Sequence, residues 1–253
     1  MKTGRKNGGN APVIQKIPFG KGWNSVIESN ASVIAVAIDG PSGAGKSTIA
    51  RLLAEELRFI YVDTGALYRS VGYMALREGV PLRDEAAMRS LLPRLHMEIR
   101  YIDGVQRVLV NGEDVSGSIR TPEVSMAASA VSSLPAVRRF LFDLQRDLAK
   151  TNNVVMDGRD IGTVVLPDAQ VKIFLTASAE VRAQRRFQEL REKGESVSYD
   201  EVLADMKKRD YDDSHRAAAP LKAAADAVKV DTSSMDLEQA VAAIRAVIRK
   251  ALA

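Results

Sequence analysis

Lys46 and Ser47 sit in the run Gly40, Pro41, Ser42, Gly43, Ala44, Gly45, Lys46, Ser47, Thr48, directly after the apolar stretch VIAVAID. The spacing fits G-x-x-x-x-G-K-[ST], a loop whose successive backbone N–H groups turn inward around a phosphate. Glycine at three positions permits backbone angles closed to other residues and leaves no side chain in the way of a phosphate. The helix expected to follow adds its positive N-terminal end. Lys46 is then placed to reach the β- and γ-phosphates, and the Ser47 hydroxyl to ligate Mg²⁺. Residues 40–48 are therefore read as the binding site of a nucleoside triphosphate, a reading that does not by itself separate a kinase from a GTPase or a motor.

A second apolar run, NVVMD, delivers Asp157 to the same edge of the expected sheet. Its carboxylate resembles the second acidic element that orients Mg²⁺ in phosphate-loop proteins. The plainer alternative is an aspartate that caps the next turn. No N-K-x-D sequence for guanine occurs, which weighs against a GTPase switch.

Four arginine-bearing stretches bear on what receives the phosphate: DTGALYR (63–69), DGRDIG (157–162), RAQRR (182–186) and KKRDYDDSHR (207–216). Singly, charges three or four apart on a helix form a solvated face. Arg159 differs, because it stands in a glycine-flanked turn. Together they suit a reaction that brings two phosphates into contact. A phosphomonoester carries about −1.5 to −2 charge at neutral pH, and bidentate arginines with Mg²⁺ are the natural answer to the repulsion. Such an acceptor is already ionised and needs no base. The scarcity of histidine (only His96 and His215, in no metal-ligand spacing) agrees with that chemistry. A sugar-alcohol acceptor would instead use a positioned aspartate, for which Asp63 is the candidate.

The elements that must hold these residues read as strand, loop, helix, repeated. VIAVAI, FIYVD, NNVVMD, VKIFLT and AVKV are short apolar strands separated by helical patterns, which predicts a parallel sheet covered on both faces. In GKSTIARLLAEEL the spacing puts Ile49, Leu52, Leu53 and Leu57 on one apolar face. Asp103-Gly104 and Asn111-Gly112 punctuate alternating runs and predict a small antiparallel insertion. Residues 1–32 carry five basic residues and one acidic, and read as a flexible extension.

Composition narrows the classes further. The hydrophobic fraction of 46% and charged fraction of 27% are those of a globular protein. The apolar run before the loop is far shorter than the roughly 20 residues of a membrane helix. There is no cysteine, so disulfides and thiolate chemistry are excluded, and a cytoplasmic setting fits. A net charge of +4 does not call for nucleic acid.

With these stretches in view, the chain resembles bacterial cytidylate kinases. The matching segments are IDGPSGAGKST, VDTGALYR, NGEDVSGSIRTPEVS, DGRDIGTVV, PDAQVKIFLTASAEVRAQRR and APLKAAADA, in the family's order from residue 33 to the C-terminus. The resemblance implies a phosphate-loop α/β domain over 33–253, with a β-rich substrate-binding insert at about 93–134 and a lid at about 180–210. It implies ATP with Mg²⁺ as donor and CMP or dCMP as acceptor, in a monomer. By position, Arg69, Arg159 and Arg209 would hold the acceptor phosphate, and Arg185 and Arg186 would reach the triphosphate as the lid closes. Ser129, Arg138 and Asp160 would read cytosine, Asp213 with Arg209 would sit near the sugar, and Arg216 close to the nucleotide. Thr64 stands where many relatives carry serine, which adds a methyl at a sugar or phosphate contact.

That assignment of the base makes chemical sense. Cytosine offers an N4 donor beside N3 and O2 acceptors, which suits a carboxylate and a hydroxyl for the first and an arginine for the others. Uracil presents an acceptor where cytosine presents its donor. Two rivals stand beside this expectation: a kinase for another small acceptor such as UMP or AMP, and a nucleotide-dependent module that binds RNA or protein.

Overall fold

Val36, Ala37 and Ile38 expose no surface, which is why the first strand reads as an unbroken apolar run rather than an alternating one. It is β1 (Ala35–Asp39) of a five-stranded sheet with β2 (Ile60–Asp63), β6 (Val154–Gly158), β7 (Val171–Thr176) and β8 (Val228–Asp231). The order is β2-β6-β1-β7-β8, all parallel. The computed structural model describes residues 33–102 and 105–253. The extension expected over 1–32 and the Asp103-Gly104 turn lie outside the described residues. All five strands expected from sequence are present, and their register fixes the site. Asp157 stands beside Asp63 on one side and Ile38 on the other, while Asp39 stands beside Gly158. Three loops thus leave the sheet together at its carboxyl end, where open α/β sheets bind ligands.

Helix α1 (Lys46–Leu57) starts from Gly45, whose φ of 87° is a left-handed conformation that favours glycine. Its buried face is Ile49, Ala50, Leu53, Ala54 and Leu57. Leu52 does not belong to it and is 37% exposed. At about 100° per residue, Leu52 falls outside the arc spanned by the other five, because the small Ala50 and Ala54 draw the packed face toward themselves. Helix α2 (Thr64–Arg77) is capped by Asp63, whose Oδ1 accepts from the Ala66 N–H at 2.9 Å.

The expected antiparallel insertion is β3 (Met97–Ile102), β4 (Val105–Val110) and β5 (Glu113–Asp114), reached through α3 (Glu85–Leu91). Asn111 and Gly112, both at positive φ (51° and 83°), turn β4 into β5. Only residues 97–114 of the segment at about 93–134 contain strand; a 3₁₀ turn (Ser118–Arg120) and α4 (Pro122–Ser132) complete it. The small sheet is tied to the edge of the large one. Tyr101 Oη donates to the Tyr61 carbonyl at 2.9 Å, and the Asp63 N–H donates to Gln106 Oε1 at 2.9 Å.

Two cores fill the faces of the main sheet. One packs α2, α4 and α5 (Pro135–Thr151) with the small sheet; the other packs α1 and α8 (Leu237–Leu252). A separate small cluster, Ala183, Leu190 and Val202, joins α6 (Ala179–Glu192) to α7 (Tyr199–His215). These two helices hold each other by their own few apolar contacts, the pattern of an element that opens at lower free energy than the core.

Candidate active site

A cleft of about 770 Å³ runs across the carboxyl end of the sheet. Its floor at one end is the loop Ser42–Thr48, and its wall at the other is the segment after β6 together with α4, α5 and α7. Gly40 and Pro41, expected at the triphosphate, do not line it; they shape the loop instead. Gly40 adopts a φ of 150°, and a Cβ there would lie 1.9 Å from the Leu175 carbonyl oxygen. The Pro41 carbonyl accepts from Lys46 Nζ at 2.6 Å.

Lys46 is buried, and burial followed by the charge on Arg159 pulls its ammonium below the usual lysine range, with Asp157 opposing. Ser47 Oγ donates to Asp157 Oδ2 at 2.8 Å, and Tyr61 Oη donates to Asp157 Oδ1 at 3.0 Å. Burial and then the neighbouring Asp63 carboxylate push Asp157 upward, against the pull of Lys46. The hydroxyl and carboxylate expected to share a Mg²⁺ are therefore adjacent. Both are hard oxygen donors, the type Mg²⁺ takes alongside phosphate oxygens and water.

Asp63 is no base in waiting. One oxygen caps α2, and the other accepts from Arg69 Nη2 at 2.8 Å. Arg159 Nε donates to Asp213 Oδ2 at 2.7 Å. Burial raises the Asp213 carboxyl, but the pairing with Arg159 and the charges of Arg216 and Arg209 outweigh it and hold it low. Arg209 lines the same cleft, with its Nε buried and without a partner among the described residues. Burial, then the charges of Arg159, Arg69 and Arg186, depress its guanidinium, with Asp213 opposing. Three arginines from three elements thus crowd one place where an anion would relieve their mutual repulsion.

Beyond them, Asp160 is buried between two more arginines. Arg138 Nη2 is hydrogen-bonded to Asp160 Oδ2, and Arg216 Nη2 donates to Asp160 Oδ1 at 3.3 Å. Arg138 also lies over the Tyr68 ring, 5.9 Å from its centroid. Ser129 lines the same corner from α4. Thr64 lines the cleft too, but its hydroxyl donates to the Asp157 carbonyl at 2.7 Å. Arg186 lines the cleft and pairs with Glu189 at 3.1 Å. Arg185 is more committed: its Nη2 donates to the Thr232 and Met235 carbonyls, at 2.9 and 3.4 Å, beside the phosphate loop.

Two buried residues escaped the sequence reading. Asp39 accepts from the Ile161 N–H and the Gly162 N–H, at 2.7 Å each, so the end of β1 grips the turn that carries Arg159 and Asp160. Burial lifts its carboxyl to about 6. In sequence Asp39 is just the last residue of a strand. Arg182 shares the RAQRR run with Arg185 and Arg186 but is 4% exposed and points elsewhere, toward Asp210 and Ser42.

Among known proteins, a family model described as cytidylate kinase matches residues 36–250. A cytidylate kinase of Caldicellulosiruptor bescii is 50% identical over 206 residues, 81% of this chain and 91% of its own. That of Carboxydothermus hydrogenoformans is 51% identical over 213 residues, 84% of this chain and 96% of its own. That of Pasteurella multocida is 48% identical over 209 residues, covering 83% and 92%. A match that takes in the phosphate loop, the arginine-bearing loops and the small sheet alike leaves one conclusion: the chain belongs to the cytidylate kinase family.

Proposed function

We propose that the protein transfers the γ-phosphoryl group of ATP directly to the phosphate of CMP or dCMP, giving ADP and CDP or dCDP. The observation that carries this is the crowding of Arg69, Arg159 and Arg209 in the same cleft as the phosphate loop and the Asp160 corner. A second phosphate placed there is neutralised without any protein base, and it faces the donor end of the same cleft.

The loop amides and Lys46 hold the donor phosphates. Mg²⁺, when bound, neutralises charge that develops on the β- and γ-oxygens, and Ser47 with Asp157 would hold it. Arg69, Arg159 and Arg209 fix the acceptor phosphate in line, and Arg186 completes the charge as α6 and α7 close over the cleft. Closure excludes water and so limits idle hydrolysis of ATP. Asp160, held by Arg138 and Arg216, accepts from the cytosine N4 amino group, with Ser129 beside it. Asp213 and Thr64 line the sugar. The enzyme acts as a cytoplasmic monomer in this scheme.

An acceptor panel in a coupled ADP-release assay tests the assignment. CMP and dCMP should turn over, with UMP and AMP lower in kcat/KM by about tenfold or more, the scale of one mismatched buried hydrogen bond. Equal values for CMP and UMP would overturn the choice of base.

A further inference from the structure

Arg182 stands on α6 and lines no part of the cleft, yet it touches both halves of the machinery. Its Nη1 donates to the Ser42 carbonyl and to Asp210 Oδ1, each at 3.0 Å, and its Nη2 donates to Asp210 Oδ2 at 2.6 Å. Its Nε donates to the Ala177 carbonyl at 2.8 Å. The guanidinium is thus bound on every side and buried, a geometry that a lysine cannot reproduce.

The two partners matter because of what adjoins them. In a planar trans peptide the C=O and the following N–H point in opposite directions. Holding the Ser42 carbonyl against Arg182 therefore turns the Gly43 N–H away from it, fixing one amide of the phosphate loop. Asp210 is the residue after Arg209 and one turn before Asp213, which holds Arg159. Helix α7 also packs directly on the loop: a Cβ at Gly43 would lie 3.1 Å from Met206 Cε and 3.3 Å from Arg182 Cβ.

We infer that Arg182 is a positioning residue that locks the donor loop to the helix bearing the acceptor arginine, so that binding of either nucleotide favours binding of the other. This rests on the proposed two-nucleotide reaction. The loop amide and Arg209 move as one body through a single guanidinium, and whichever substrate orders one orders its partner.

The test compares full-length wild type with Arg182→Lys, Asp210→Asn and Lys207→Ala. Lys207 pairs with Glu180 at 3.3 Å on the exposed side of the same two helices, without touching the loop. The measurement is the ratio of CMP Kd values without and with a non-hydrolysable ATP analogue, alongside kcat, both KM values and Tm. Wild type should show about fivefold coupling or more, the lower end of typical site-to-site coupling. Arg182→Lys and Asp210→Asn should bring the ratio close to one and raise KM for both substrates, and Lys207→Ala should leave the ratio unchanged. Asp210→Asn leaves the arginine in place, so it answers the question even if Arg182→Lys folds poorly. Coupling retained in Asp210→Asn, coupling absent from wild type, or equal loss in Lys207→Ala would each overturn the inference. Absent CMP turnover in wild type would instead count against the proposed reaction, a separate result.

Discussion

Ser47 Oγ lies 2.8 Å from Asp157 Oδ2, joining the first turn of α1 to the end of a strand 110 residues away. The contact is a hydrogen bond, and it keeps two hard oxygen donors side by side.

Replacing Asp157 by asparagine keeps the shape but removes the charge. The Mg²⁺ concentration needed for half-maximal turnover should rise by about tenfold, with kcat falling by roughly 100-fold, comparable to loss of one electrostatic transition-state contact. A Mg²⁺ titration of turnover reads both. An unchanged titration curve would reduce Asp157 to a turn cap.

Arg159 and Asp213 are separable by their two roles. Arg159→Ala should lower kcat/KM for CMP by about 100- to 1,000-fold and also cost about 1–3 kcal/mol in stability, because buried Asp213 loses its hydrogen-bonded partner and keeps only the longer pairing with Arg216 at 4.0 Å. Adding Asp213→Asn should recover most of the stability and none of the turnover. Steady-state kinetics and denaturant unfolding on the single and double variants separate them. Near-normal kinetics in Arg159→Ala would refute its assignment to the acceptor phosphate.

Asp160→Asn tests base reading. An asparagine can turn its amide to donate where the carboxylate only accepts, so the preference for CMP over UMP should shrink by roughly 10- to 100-fold. The ratio of kcat/KM values is the measurement. A ratio equal to that of wild type would place the discrimination elsewhere, in Ser129 and Arg138.

Asp39 predicts a pH effect of known sign. Its carboxyl is raised to about 6 in the folded protein, above the usual carboxylate value, so the folded state binds its proton more tightly than the unfolded chain does. Stability from this group is therefore greatest at low pH and falls as pH rises through about 6. Relative to Asp39→Asn, wild type should lose about 1 kcal/mol between pH 5 and pH 7. Parallel urea titrations of the two proteins at those pH values give the difference. A difference of opposite sign would mean that the two amide hydrogen bonds outweigh burial and hold the carboxyl low.

The loop spacing and the apolar runs made the donor site and the parallel sheet legible in the sequence, because both depend on local patterns. The arginine-bearing stretches were also visible there, but only the resemblance gave Arg69, Arg159 and Arg209 a common role. Arg69 and Arg159 meet because the strand order puts β2 beside β6, Arg209 comes in on α7, and no local pattern encodes either placement. Leu52 shows the limit of periodicity: five apolar positions define a face only when their sizes are weighed, and two alanines shifted it. Asp39 and Arg182 were illegible for a different reason. Each acts on backbone groups far away in sequence, at Ile161 and Gly162 and at Ser42, and a partner of that kind leaves no signature beside the residue itself.

Asp157, Arg159 and Asp160 fall within four consecutive residues after the core of β6. An extended chain covers no more than about 3.6 Å per residue, so Asp157 and Asp160 stand within about 11 Å of one another. In the proposed reaction, the metal-side carboxylate, the acceptor-phosphate arginine and the base-reading carboxylate would therefore be marks on one short ruler. Asp39 clamps that ruler at Ile161, just past its last mark. The spacing of three side chains on one strand end is thus held by a carboxylate that belongs to its neighbour.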